Sequence, residues 1–233
     1  MNKGLLNGKP VSKVTLKQIG RNIIGLLITL FVMLSILYVV SLILPKKQQS
    51  IAQKGTDVTF RDGDIIFQEI SGELGGEISA ITGSPINHCG LIFFKEGELL
   101  VLEAADQVKL TPLKEWIFNG VDKKIALLRY KMANDNLIST VLIEAEKFRG
   151  NPYDYQYSMD DENIYCSELV YKAYKNGAGV KLCPLKKLRD LDYKGHEEFI
   201  KKLTNGKLPL DREIITPVDI YKSEKLYVIY NDF

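Results

Sequence analysis

The sequence predicts an α+β domain, a mainly antiparallel sheet packed on helices, carried behind one N-terminal membrane-spanning helix. Three observations predict it. "HCGLIFF" and "LLVLEAA" are apolar runs rich in β-formers on either side of "KEGE", the pattern of a β-hairpin. "NDNLISTVLIEAEKF" (134–148) and "IYCSELVYKAYKNG" (164–177) carry apolar residues at helical spacing. The 22 residues from Ile23 to Leu44 hold no charge.

At a rise of about 1.5 Å per residue that last run reaches about 33 Å, enough for a hydrocarbon core of roughly 30 Å. A core helix rarely stays apolar on every face for so long. The run also exceeds the ~7–15 apolar residues of a cleavable signal peptide. It leaves through "LPKKQQS" with no Ala-x-Ala site, so an uncleaved anchor is expected. Residues 1–22 are a short basic segment, 23–44 the anchor, 45–60 a tether and 61–233 the main domain. Residues 1–54 carry eight basic residues and no acid, which leaves 23 basic and 29 acidic residues in the remainder. A mildly acidic body offers no footprint for nucleic acid. Five basic residues before the span favour a cytoplasmic N-terminus and an extracytoplasmic domain.

The elements follow in order. "DGDIIFQEI" (62–70) opens with a turn signal and becomes a strand. "ISAITG" (78–83) is a short helix ended by Gly83, and the hairpin comes next. "TPLKEWI" starts a helix with Thr111 as cap and Pro112 in its first position. "KIALLRY" (124–130) is a strand. The helix over 134–148 closes at Gly150, and the helix that begins near Cys166 closes at Gly177. Residues 183–213 are a charged surface excursion with one helix near 196–203. "ITPVDIYKSEKLYVIY" gives a helical turn from Pro217 and a last strand.

A cysteine works as a nucleophile only as thiolate, and a helix N-terminus lowers its pKa while its free N–H groups offer an oxyanion hole. Cys166 has that position. Cys89 lies within an apolar run and reads as core, and Cys183 sits in a Lys-rich loop. Three cysteines leave at least one unpaired. A nucleophilic cysteine needs a base, and two histidines are available. His196, in "GHEEFIKKL", reads as a solvated helix residue, whereas His88 heads a strand in an apolar setting and needs a partner there. If "EG" at 96–97 is the turn, paired positions sum to 193, so position 90 faces position 103. His88 and Glu103 then project from one sheet face as diagonal neighbours, and Glu103 can orient the imidazole. Cys89 projects from the other face. A zinc site from His88, Cys89 and Cys166 fits poorly, because adjacent strand residues diverge and no spaced ligand pair exists. No metal or cofactor is expected.

"GDIIFQ", "INHCGLIFF", "VLEAA", "GNPYDYQY", "IYCSELVYKAY" and "ITPVDIY" occur in the order of the YiiX/YaeF-type permuted papain-like amidases, relatives of the NlpC-type cell-wall peptidases. The chain resembles that family over roughly residues 60–230. In unpermuted relatives the cysteine helix precedes the histidine strand, while here "NHCG" precedes "YCSELV". The resemblance implies a circularly permuted papain-like, NlpC-type fold. It makes Cys166 the nucleophile, His88 the base and Glu103 the orienting residue. It also brings Tyr153 to the substrate side of the site, although the glycines that follow this tyrosine in the family are absent. The implied activity is cleavage of an amide through a cysteine thioester, in a peptide or acyl-amide substrate, with cell-wall peptides foremost. Lipid acyl hydrolysis or transfer uses the same Cys–His pair, and a non-catalytic binding module is the third reading.

Overall fold

The computed structural model describes residue 24 and residues 26–36, 50–53 and 56–233. The chain divides into a unit of residues 1–47 and a compact unit of residues 48–233. In the first, residues 26–36 are helical (α1), with Leu26, Phe31 and Met33 exposed. Among the described residues no helix is long and apolar enough to cross a membrane, and the rest of the expected span 23–44 lies outside them.

In the second unit, residues expected as tether pair as a short hairpin, β1 (Ser50–Gln53) with β2 (Thr56–Thr59). The main sheet has six antiparallel strands in the order β10-β7-β3-β4-β5-β6. They are β3 (Ile65–Gln68), β4 (His88–Lys95), β5 (Glu98–Ala104), β6 (Val108–Pro112), β7 (Ala126–Tyr130) and β10 (Leu226–Asn231). The β4–β5 turn holds Glu96 and Gly97 at positive φ (53° and 89°), the left-handed pair that a tight hairpin demands, and Gly90 pairs with Glu103 as the parity predicts.

Alternation gives the sheet two buried faces. Ile65, Phe67, Cys89, Leu91, Leu102 and Ala104 pack with α4 (Asp135–Glu146) and α5 (Cys166–Ala178). Ile66, Ile92, Val101 and Leu127 pack with Leu113, Trp116 and Ile117 of α3 (Leu113–Asn119). Arg129 on β7 forks onto Asp64 beside β3, Nε to Oδ1 at 2.6 Å and a second nitrogen to Oδ2 at 2.8 Å, both side chains buried. Removing one member of such a pair strands a buried charge at a cost of about 3–5 kcal/mol.

The helix expected over 78–83 begins at Glu73 and the one expected to close at Gly150 ends at Glu146, and two further boundaries move for a clear physical reason. Thr111 does not cap α3: it belongs to β6, and Pro112 takes the cap position. Gly177 does not end α5. Gly179 does, at φ 68°, and Gly177 lies inside the helix where α4 crosses it. A Cβ there would stand 2.5 Å from Val141 Cα, so glycine is required by close helix approach. The excursion holds the β8–β9 pair (Lys186–Lys187 with Glu213–Ile214) and α6 (Glu197–Leu203), and it faces α2 (Glu73–Thr82). The turn from Pro217 is α7 (Pro217–Tyr221), capped by Thr216.

Candidate active site

The site gathers where β4 begins and α5 begins. α5 starts at Cys166, and its first turn is fixed by Glu168, whose Oε2 accepts the Tyr165 N–H at 3.2 Å. The aligned peptides of a helix place partial positive charge at this end, so an anion there is favoured. Cys166 is 3% exposed.

On β5, Glu103 reaches diagonally across to His88, and its Oε2 lies 2.6 Å from His88 Nε2. Gly90 makes that reach possible. A Cβ at Gly90 would meet Val101 at 2.5 Å and the Glu103 Cβ at 3.3 Å, so only glycine leaves the strand surface open here. Two further donors complete the carboxylate: Thr111 Oγ1 donates to Oε1 at 2.5 Å, and Trp116 Nε1 donates to Oε2 at 2.9 Å. Trp116 also stacks on the imidazole, with ring centroids 5.8 Å apart and planes at 27°. Glu103 is thereby held as an anion: burial pushes its pKa up, but His88, Thr111 and Trp116 outweigh burial and hold it below the usual carboxylate value.

Cys89 and His88 both act on the Cys166 thiol, and neither cysteine is in a disulfide. Its pKa is held well below the usual thiol value, first by the hydrogen bond from Cys89, against burial, and then by His88. Burial depresses His88, but contact with Cys166 and Glu103 wins and raises it to about 10. The two shifts have one meaning: the pair exists as thiolate and imidazolium, with Glu103 supporting the cation from the far side.

The structure brings Cys166, His88 and Glu103 together, and it places Tyr153 beside them. The Tyr153 ring is buried, and its hydroxyl lies 3.3 Å from that of Tyr157. Cys89 differs from expectation. It faces away from His88 and packs, but the face it occupies is the one α5 covers, so it is a hydrogen-bonding neighbour of Cys166. Burial, then Cys166, pushes its own pKa well above the usual thiol value, so it stays a neutral donor. His196 is not simply solvated: its Nδ1 lies 2.6 Å from Glu77 Oε2, tying the start of α6 to α2.

Thr111, Trp116 and Asn87 escape the sequence reading. Parity carried through one more strand finds Thr111, because Glu103 pairs with Lys109 and Val101 with Thr111 on β6. Asn87 precedes His88 and is fully used: its amide donates to Ile70 O, Gly75 O and Ser79 Oγ, each at 3.0 Å, and its Oδ1 accepts the Ile70 N–H at 2.7 Å. It pins the start of β4 to α2.

Two clefts meet here. One is lined by Cys166, Leu74 and Ile78, by Leu188, Phe199 and Ile200 of the excursion, and by Tyr157 and Ile214; its walls are almost wholly apolar. The other lies along His88, Glu103, Gln68 and Trp116. Tyr153 and Asn87 line both. Among the described residues no group of three or more His, Cys, Asp or Glu could hold a metal ion.

Residues 59–230 match the model of the permuted papain-like amidase enzymes of the YaeF/YiiX, C92 family. The chain belongs to this family. It is accordingly a papain-like cysteine hydrolase with the permuted α+β architecture. It is 30% identical over 174 residues to the uncharacterized protein YiiX of Escherichia coli (strain K12), covering 73% of this chain and 86% of that one. It superposes with a TM-score of 0.71 and 28% identity on a crystal structure described as metalloprotein yiiX from Escherichia coli O157:H7, covering 74% of this chain and 98% of that one.

Proposed function

We propose that the chain is a membrane-anchored hydrolase that cleaves an amide bond through a thioester on Cys166. The observation that carries the reading is the line Cys166, His88, Glu103, with the cysteine at a helix start and the carboxylate closed by three donors. The thiolate attacks the carbonyl carbon, and the imidazolium gives its proton to the departing nitrogen as the C–N bond breaks. His88, now neutral, takes a proton from water, which attacks the thioester; the C–S bond breaks, the acid leaves, and the thiolate and imidazolium are restored. Glu103 keeps the ring oriented and supports its charge. The uncharged run 23–44 and the exposed Leu26, Phe31 and Met33 within it support an anchor that holds an extracytoplasmic domain beside the envelope.

Cell-wall peptides are the first substrate class. The apolar cleft beside Cys166 favours a second, in which the carbonyl half is a lipid acyl chain. Mass spectrometry after incubation with muropeptides and, separately, with acyl-lipids distinguishes them by which one is shortened. Cys166→Ala should abolish either activity and His88→Ala should lower it by orders of magnitude, with both chains folded. Undiminished turnover in the Cys166 variant would refute the reading.

A further inference from the structure

The two clefts approach the reacting pair from different sides. Cys166 lines the apolar cleft and His88 does not; His88 lines the second cleft and Cys166 does not. In thiol catalysis the nitrogen that leaves is the one the imidazolium protonates, so the departing half of the substrate must lie on the histidine's side. The second cleft is on that side.

Its walls have a different character. Gln68, Lys109, Glu115 and Asn119 contribute polar groups, and with His88 and Glu103 the lining carries two charges of each sign. Lys109 is paired with Asp106 at 2.6 Å. Gln68 stands out. It pairs directly with His88 across β3 and β4, so the two side chains rise from the same face. It is 2% exposed, and its Oε1 is buried without a hydrogen-bond partner. The other buried polar groups around the pair, on Asn87 and Glu103, are satisfied several times over. A lone buried carbonyl is costly, and an orphan of this kind beside a reacting histidine needs an explanation. Gly120 makes the room it occupies: a Cβ there would stand 2.5 Å from Gln68 Oε1.

We propose that the second cleft is the subsite for the departing half of the substrate, and that the Gln68 carboxamide accepts a hydrogen bond from it. The leaving group is then a polar amine of the amino-acid or amino-alcohol kind. An amine with no donor beyond the nitrogen engaged at His88 leaves that carbonyl unsatisfied, and a lining with balanced cations and anions does not suit a polyanion. The inference rests on the hydrolase reading above, since it uses His88 as the proton donor.

The test uses the full chain in detergent, carrying Cys166→Ala so that no turnover intervenes. It is titrated by calorimetry with glycinamide, ethanolamine and n-propylamine. The first two should saturate, and n-propylamine should bind far more weakly. Gln68→Leu should weaken the polar amines by about tenfold or more and leave n-propylamine unchanged. Gly120→Ala keeps the carboxamide but takes its space, and should weaken them too; its backbone, at φ −77°, accepts alanine, which guards against a folding failure in the Gln68 variant. Polar amines that fail to saturate, or that bind both variants as they bind the parent, would overturn the proposal. Acylation of Cys166 in the parent by p-nitrophenyl butyrate, read as added mass, reports the hydrolase reading alone. Either reading can therefore fail without the other.

Discussion

Replacing Glu103 with glutamine removes a charge and keeps a shape. The carbonyl of the new carboxamide can take the place of Oε2 and still accept from His88 and Trp116, while its NH2 faces Thr111 Oγ1, which can accept in turn. What is lost is the charge that supports the imidazolium. A hydrogen bond to a charged partner contributes about 1.5–3 kcal/mol and a neutral one about 0.5–1.5. The difference is about 1–1.5 kcal/mol, or roughly one pH unit at 1.36 kcal/mol per unit.

The sign is fixed by what each limb of the pH profile reports. The reactive pair is complete above the lowered pKa of Cys166 and is lost as pH rises through that of His88, about 10 in the parent. The Glu103 charge supports the imidazolium whether the thiol is protonated or not, so its loss barely moves the lower limb. The upper limb should fall by about one unit. At neutral pH the pair stays populated, so kcat/KM should remain within about tenfold of the parent and the deficit should widen above pH ~9. The assay is the rate of Cys166 alkylation by iodoacetamide, alongside hydrolysis, from pH ~5 to ~10.5. An unmoved upper limb would remove Glu103 from the site, and a fall at neutral pH to the level of Cys166→Ala would show that the charge contributes far more than this difference, since the glutamine keeps the orientation.

Limited iodoacetamide labelling near neutral pH, mapped by peptide, should modify Cys166 first, because burial raises Cys89 well above the usual range and Cys183 to about 12. Cys89→Ala removes the neighbour that does most to lower the Cys166 pKa, so the lower limb of its alkylation profile should move to higher pH while the upper limb stays near its place. An unchanged lower limb would assign the low pKa to His88 and the helix end alone. Gly177→Ala should destabilise the domain by about 1–3 kcal/mol in thermal or urea unfolding, because the new methyl meets the α4 backbone rather than a yielding side chain.

The hairpin was legible because its register depends on one local feature. Once the turn is set at Glu96 and Gly97, the pairing of 90 with 103 follows with no knowledge of the rest of the fold. Cys166 was legible for the same reason, since a helix start is written in a few neighbouring residues. Thr111 was misplaced because "TPLKEWI" is a fair capping sequence, and only the pairing of β6 with β5 turns that hydroxyl toward Glu103. Trp116 and Gln68 depend on α3 and Gly120 returning over one sheet face, which no local pattern encodes.

Cys89 shows where parity stops being enough. Alternation correctly separates it from His88, yet it does not say which face carries the helix that bears the nucleophile. α5 lies on the Cys89 face, so the residue that parity sends away from the histidine arrives beneath the thiol. His88, the first residue of β4, meets Cys166 from the opposite face, where the strand ends. Two neighbours that diverge across a sheet thus converge on one sulfur at its end. One supplies the base and the other a neutral donor, and the thiolate is stabilised from both sides.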